Sequence, residues 1–120
     1  MKYDLEERLI KFAAAVLDLV ELLPARGVCI HLGNQLGRSG TAPALIYGEA
    51  QGAESRNDFI HKMKIGLKEL RETSICLRII LMKNYIHPND KLQVVLRENT
   101  ELIAIFVKSV KTAASNDLRS

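Results

Sequence analysis

Apolar residues that advance by alternate steps of four and three constrain this chain more than any other feature. In the first segment Leu5, Leu9, Phe12, Val16, Leu19 and Leu23 follow that step. The step places all six on one face of a helix, whereas a strand would need a period of two. Pro24 then ends the segment, because a proline removes a backbone donor and crowds the preceding turn.

The same step returns three times. Cys29, Leu32, Leu36, Ser39, Pro43, Ile46 and Ala50 form a second stripe. Phe59, Met63, Gly66, Leu70, Thr73, Leu77 and Ile80 form a third, preceded by Ser55 with Asp58 three residues on, a variant of the capping box. After the break at Asn84 to Asp90, Leu92, Leu96, Asn99, Ile103, Phe106 and Val110 make a fourth, which fades into a polar tail at Ser115 and Asn116. Helices are expected at about 4–23, 28–52, 55–83 and 90–114 of a single domain, 1–120. Short turns between sequential helices predict an all-α, up-down-up-down antiparallel four-helix bundle.

A chain of 120 residues with 48% apolar and 26% charged side chains can bury one core. Aromatic residues make up 5% with no Trp, which disfavours nucleic-acid binding by base stacking. The net charge of +3 permits a nucleic-acid partner without requiring one. Cys29 and Cys76 fall in helical patterns and read as small core residues of a reduced, cytoplasmic protein. Acidic residues interrupt the opening MKYDLEERL, and no apolar run reaches the length of about 18 residues that a membrane span needs. No membrane association is expected.

The stretch GNQLGRS, residues 33 to 39, approaches a phosphate loop. Only three residues separate its glycines, Arg38 stands in for the lysine, and no strand-like run precedes it. A small-residue helix explains it better: Gly33 with Gly37, and Gly48 with Gly52, are four apart and allow close helix approach. Pro43 is expected to bend that helix without breaking it, with Ser39 and Thr41 bonding to nearby backbone.

Arg38 and Glu49 lie about 20° apart around this helix and about 16 Å apart along it. On the third helix Asp58, Lys62, Glu69 and Glu72 form a charged stripe beside the seam. With the hairpin turning near residues 53 and 54, Arg38 is expected to pair with Glu69 or Glu72, and Glu49 with Lys62, in a partly shielded strip. Neither metal nor cofactor is expected. Di-metal bundles need two Glu-x-x-His pairs and two further inward carboxylates, whereas only Asp58 and His61 have a comparable spacing here. Cys29 and His31 have no second pair for zinc. His61 and His87 read as surface and turn residues. Ser39 and Thr41 have no histidine placed to activate them, and Cys76 reads as an inert thiol.

The segments RSGTAPALIYGEAQGAES, DFIHKMKIGLKELRET and ELIAIFVKSVKTA closely resemble the bacterial four-helix-bundle proteins named after intervening sequences in 23S ribosomal RNA genes. Arg38-Ser39-Gly40-Thr41, Glu49-Ala50, Ser55, Asp58-Phe59-Ile60, Lys62 and Lys68-Glu69 carry the resemblance most specifically. It implies ring-like homopentamers without enzymatic activity. A related branch, the accessory proteins of diversity-generating retroelements, implies binding to RNA and a reverse transcriptase. Ala42, Ile46, Gly48 and Cys76 depart from the family pattern, which has Ser, Asn, a basic or polar residue and Trp at these places. The departures make one helical face more apolar.

The expected function is therefore a non-enzymatic, self-associating interaction or scaffold module, with an enzyme whose site is unrecognised as the remote alternative. Val94, Val95, Ile105 and Val107 lie outside the fourth seam and are the expected subunit interface. Lys64, Lys68 and Arg71 are candidate RNA contacts, and RNA or an RNA-associated protein is the alternative partner.

Overall fold

A computed structural model describes the backbone of residues 4–119 and the side chains of residues 4–115. Four helices follow one another: α1 (Leu5–Leu22), α2 (Gly27–Gln51), α3 (Arg56–Lys83) and α4 (Asp90–Arg119). Residues 1–3 and 120 of the expected domain lie outside the described residues.

Local chemistry fixes the ends. Asp4 caps α1 by accepting the Glu7 amide at 3.0 Å, and Ser55 caps α3 by accepting the Asp58 amide at 3.0 Å. The Asp58 carboxylate in turn accepts the Glu54 amide at 3.4 Å. Asn84 ends α3 in the left-handed region, φ 55°, while the Tyr85 amide reaches back to the Ile80 carbonyl at 3.2 Å. Such a terminus satisfies carbonyls that the helix leaves without partners. α4 continues to Arg119, past the expected end near 114. Residues 113–119 contain neither Gly nor Pro to stop it.

Each helix packs on its sequence neighbours, and α1 closes the ring on α4. Among the described residues the diagonal pairs α1/α3 and α2/α4 bring no Cα atoms within 8 Å, and α1/α4 is the loosest joint. Only long side chains bridge a diagonal, as where the Tyr47 and Phe106 rings meet across the core with centres 6.4 Å apart. The result is an antiparallel up-down-up-down bundle of 52 × 29 × 20 Å. Its α1/α2 and α3/α4 turns share one end, where the Arg26 guanidinium lies 5.4 Å from the Tyr85 ring centre.

The first seam is buried from Leu5 to Leu19, with Leu23 half-buried. Glycines bring α1 and α2 together: a Cβ on Gly40 would lie 2.5 Å from Val16 Cγ1, and one on Gly33 3.3 Å from Val20 Cγ1. Gly48 and Gly52 differ from the expectation. A Cβ at Gly48 meets nothing, and one at Gly52 only its own turn. Pro43 is buried inside an unbroken α2. Thr41 bonds to the Gly37 carbonyl at 2.7 Å, whereas Ser39 turns across to Thr73 on α3.

α4 corrects the expected seam. Leu92, Val95, Asn99, Leu102 and Phe106 are buried, while Leu96, Ile103 and Val110 are half-buried flanks. Both flanks are apolar here, so a strict four-three step picked the wrong shoulder. Val95 therefore belongs to the core and not to a surplus face. Ile105 and Val107 are half-buried, and only Val94 of the four is openly exposed, at 55%.

Candidate functional site

The residues of the former phosphate-loop candidate lie within α2, whose backbone amides are committed to the helix ladder. Gly33, Leu36, Ser39 and Gly40 are buried by neighbouring helices. That leaves no exposed nest of amides for an anion.

The charged strip between α2 and α3 divides into two parts. Toward the α2/α3 turn, Lys62 Nζ donates to Glu49 Oε1 at 3.0 Å. The Glu49 hydrogen bond and charge raise the Lys62 pKa, with Asp58 adding a smaller push. Asp58 itself is spent on the helix cap.

The second part centres on Glu69 and Glu72, one turn apart on α3. Arg38 donates to Gln35 on its own helix at 2.9 Å, and its nearest approach to Glu72 is 3.9 Å. No ion pair with Glu69 forms among the described residues. The expected Arg38 pairing is thus a long contact, with 64% of the Arg38 side chain exposed. A short side-chain bond within one helix costs less ordering than a long reach across two.

Glu69 Oε1 and Glu72 Oε2 are shielded and accept no hydrogen bond. Although 43% of the Glu72 side chain is exposed, that oxygen faces inward. Burial raises the Glu69 pKa, and the charge of Glu72 raises it further against the weaker pull of Arg38. The Cys76 thiol, one turn beyond, is likewise pushed up by burial and by Glu72. A raised thiol pKa means little thiolate and a poor nucleophile.

Behind the carboxyls, Thr73 Oγ1 lies 2.9 Å from Ser39 Oγ and 2.8 Å from the Glu69 carbonyl oxygen. Both hydroxyls belong to residues 0% exposed, out of reach of any substrate. Among the described residues no three His, Cys, Asp or Glu side chains converge as metal ligands. The Ser39–Thr73 bond within this cluster ties α2 to α3.

Lys64, Lys68 and Arg71 stand together on the outer face of α3, all exposed. Arg78 continues the stripe one turn after Ile75. Lys68, one turn before Glu72, borders the Glu69/Glu72 pair, and its charge pulls down on the Glu69 pKa as the smallest of the influences there.

One contact had no counterpart in the sequence reading. Arg8 on α1 clasps Glu98 on α4 in two bonds, Nε to Oε2 at 2.6 Å and Nη2 to Oε1 at 2.7 Å. Glu101 stands 3.5 Å from the same guanidinium. Ninety residues separate the pair, and only an opposite-charge search across the α1/α4 joint could have suggested it.

Fold and polar clusters together define a four-helix bundle whose charged residues tie helices to one another. The chain belongs to the 23S rRNA-intervening sequence protein family, whose model matches residues 2–108. A crystal structure from Bacteroides thetaiotaomicron VPI-5482, described as a protein of unknown function from the S23 ribosomal protein family, is 28% identical. The match covers 90% of this chain and 99% of that one, with a TM-score of 0.82. No curated protein matches. Among the described residues no helix is long and apolar enough to cross a membrane.

Proposed function

We propose that the chain is a non-enzymatic, self-associating helical bundle that serves as a cytoplasmic scaffold or interaction module. The observation that carries this reading is the quantity of apolar surface left on outer faces. Ile10, Leu17, Leu45, Ile75 and Met82 are 50%, 44%, 70%, 52% and 88% exposed. Scattered single exposures are ordinary, but stripes of them on charged helices favour contact with another protein surface. The burial of Ser39 and Thr73 and the raised Cys76 pKa support a non-catalytic role.

A homopentamer is the expected assembly, on the resemblance described at the outset. Light scattering on the purified chain at micromolar concentration tests it: a mass several times that of the subunit is expected, and a monomer overturns the reading.

A second reading rests on Lys64, Lys68 and Arg71, which form an exposed basic stripe. It makes the chain an RNA-binding accessory protein acting with ribosomal RNA or a reverse transcriptase. Such binding would follow phosphates, weaken with salt and show little sequence preference. Replacing the three by Ala should lower RNA affinity and flatten its salt dependence; affinity that ignores both salt and the triple change removes this reading.

A further inference from the structure

α1 and α3 occupy diagonal corners of the bundle with no close backbone approach among the described residues, so their outer faces look in opposite directions. On α1 the outer stripe runs Glu6, Ile10, Ala14, Leu17, Glu21, every residue exposed. An apolar centre is bracketed by carboxylates, and along one side exposed Lys11 lies between Glu7 and Asp18, leaving the face net acidic. On α3 the outer stripe runs Lys64, Lys68, Arg71, Ile75, Arg78, Met82, every residue again exposed. Here cations surround the apolar side chains, and Ile79 widens the patch at 42% exposure.

We propose that the acidic outer face of α1 on one copy of this chain docks against the basic outer face of α3 on the next, joining copies head to tail. The inference rests on the self-association proposed above and assigns its two faces.

Three observations choose a second copy as the occupant. First, the faces match in charge and length: Glu6 and Glu21 stand about 22 Å apart along α1, and Lys64 and Arg78 about 21 Å apart along α3. Second, neither Glu6 and Glu21 nor Lys64, Arg71 and Arg78 enters an ion pair among the described residues, so all remain available. Third, Ile75 gains nothing from a phosphate backbone, but in the register that pairs the end charges it falls level with Leu17 or Ile10 of a facing helix, which desolvates it.

The charges also decide the symmetry. An α1 face meeting another α1 face sets acid on acid, and two α3 faces set base on base. Each face therefore disfavours its own kind, which excludes a two-fold pairing through either and leaves the heterologous contact. Such contacts propagate from copy to copy, and because the two faces look in opposite directions they close a ring only where successive copies are tilted against one another.

The test uses two charge-reversed proteins, Glu6→Lys/Glu21→Lys and Arg71→Glu/Arg78→Glu, with helix content followed by circular dichroism. All four positions are exposed, so both variants should keep wild-type helicity. Light scattering should show each variant alone dissociating at concentrations at least tenfold above those for wild type. An equimolar mixture should recover a higher mass, because the reversed α1 face then meets the reversed α3 face. Reversed variants that keep the wild-type mass, or a folded mixture that stays dissociated, overturn the face assignment while leaving self-association intact. A monomeric wild type removes self-association itself. If Arg71→Glu/Arg78→Glu loses RNA binding but keeps the wild-type mass, the α3 face serves nucleic acid and the proposal fails.

Discussion

Thr73 Oγ1 on α3 lies 2.9 Å from Ser39 Oγ on α2, and both residues are sealed from solvent. A hydroxyl carries one hydrogen, so when Thr73 donates to the Glu69 carbonyl, Ser39 donates to Thr73. Thr73→Val keeps the shape but leaves Ser39 without its partner and should cost about 1–3 kcal/mol. Ser39→Ala/Thr73→Val removes both hydroxyls and should recover much of that loss. Denaturant titration of the single and double variants measures the coupling, and additive losses would show that the pair does not interact.

Only glycine fits at position 66 opposite Phe106, since a Cβ on Gly66 would stand 2.7 Å from Phe106 Cε2. Gly66→Ala gains helix propensity, worth up to about 1 kcal/mol, but forces the ring out of a packed site at about 1–3 kcal/mol. Net destabilisation is expected. Adding Phe106→Leu should shrink the penalty of the alanine, read as a smaller fall in melting temperature when Gly66→Ala is made in the Phe106→Leu background.

The two cross-helix arginines should differ in worth. Arg8→Ala breaks a bidentate bond to Glu98, whose side chain is 27% exposed, and should cost about 1–2 kcal/mol. Arg38→Ala loses a 3.9 Å contact from a side chain 64% exposed and should cost under about 0.5 kcal/mol. Equal losses in parallel denaturation curves would contradict this ordering.

Glu69 gives the bundle a pH dependence of unusual sign for a carboxylate. Its pKa is raised by burial and by Glu72, so the folded state holds the proton more tightly than the unfolded chain does. That contribution is fully present below the unfolded pKa and is lost as pH rises through the folded one. Glu69→Gln keeps a neutral side chain at all pH. Relative to wild type it should become more stable as pH rises from mildly acidic to neutral, and a constant difference across that range would show that the proton is not shared unequally.

The bundle was legible in the sequence because a four-three step is diagnostic where one flank is polar, as beside Leu9, flanked by Arg8, and Leu19, flanked by Asp18. It misled on α4, where Val94, Val95 and Leu96 are consecutive and periodicity cannot choose between shoulders. Contacts local to a hairpin could be counted from the turn, which sets Glu49 beside Lys62. The Arg8–Glu98 clasp depends on how the first and last helices cross, and spacing carries no record of that. Arg38 illustrates a third limit: a bond to Gln35, three residues back, competes with any partner on α3.

The loose joint between α1 and α4 has a kinetic side. The three closely packed helix pairs all link neighbours in sequence, so the α2/α3 hairpin can form without waiting for distant chain to arrive, and low contact order favours rapid folding. Closure of α1 on α4, which spans the whole chain, is then the step with the longest loop and the least packing to reward it. Amide hydrogens of α1 and α4 should accordingly exchange ahead of those in α2 and α3, marking the two terminal helices as the door through which the native state opens.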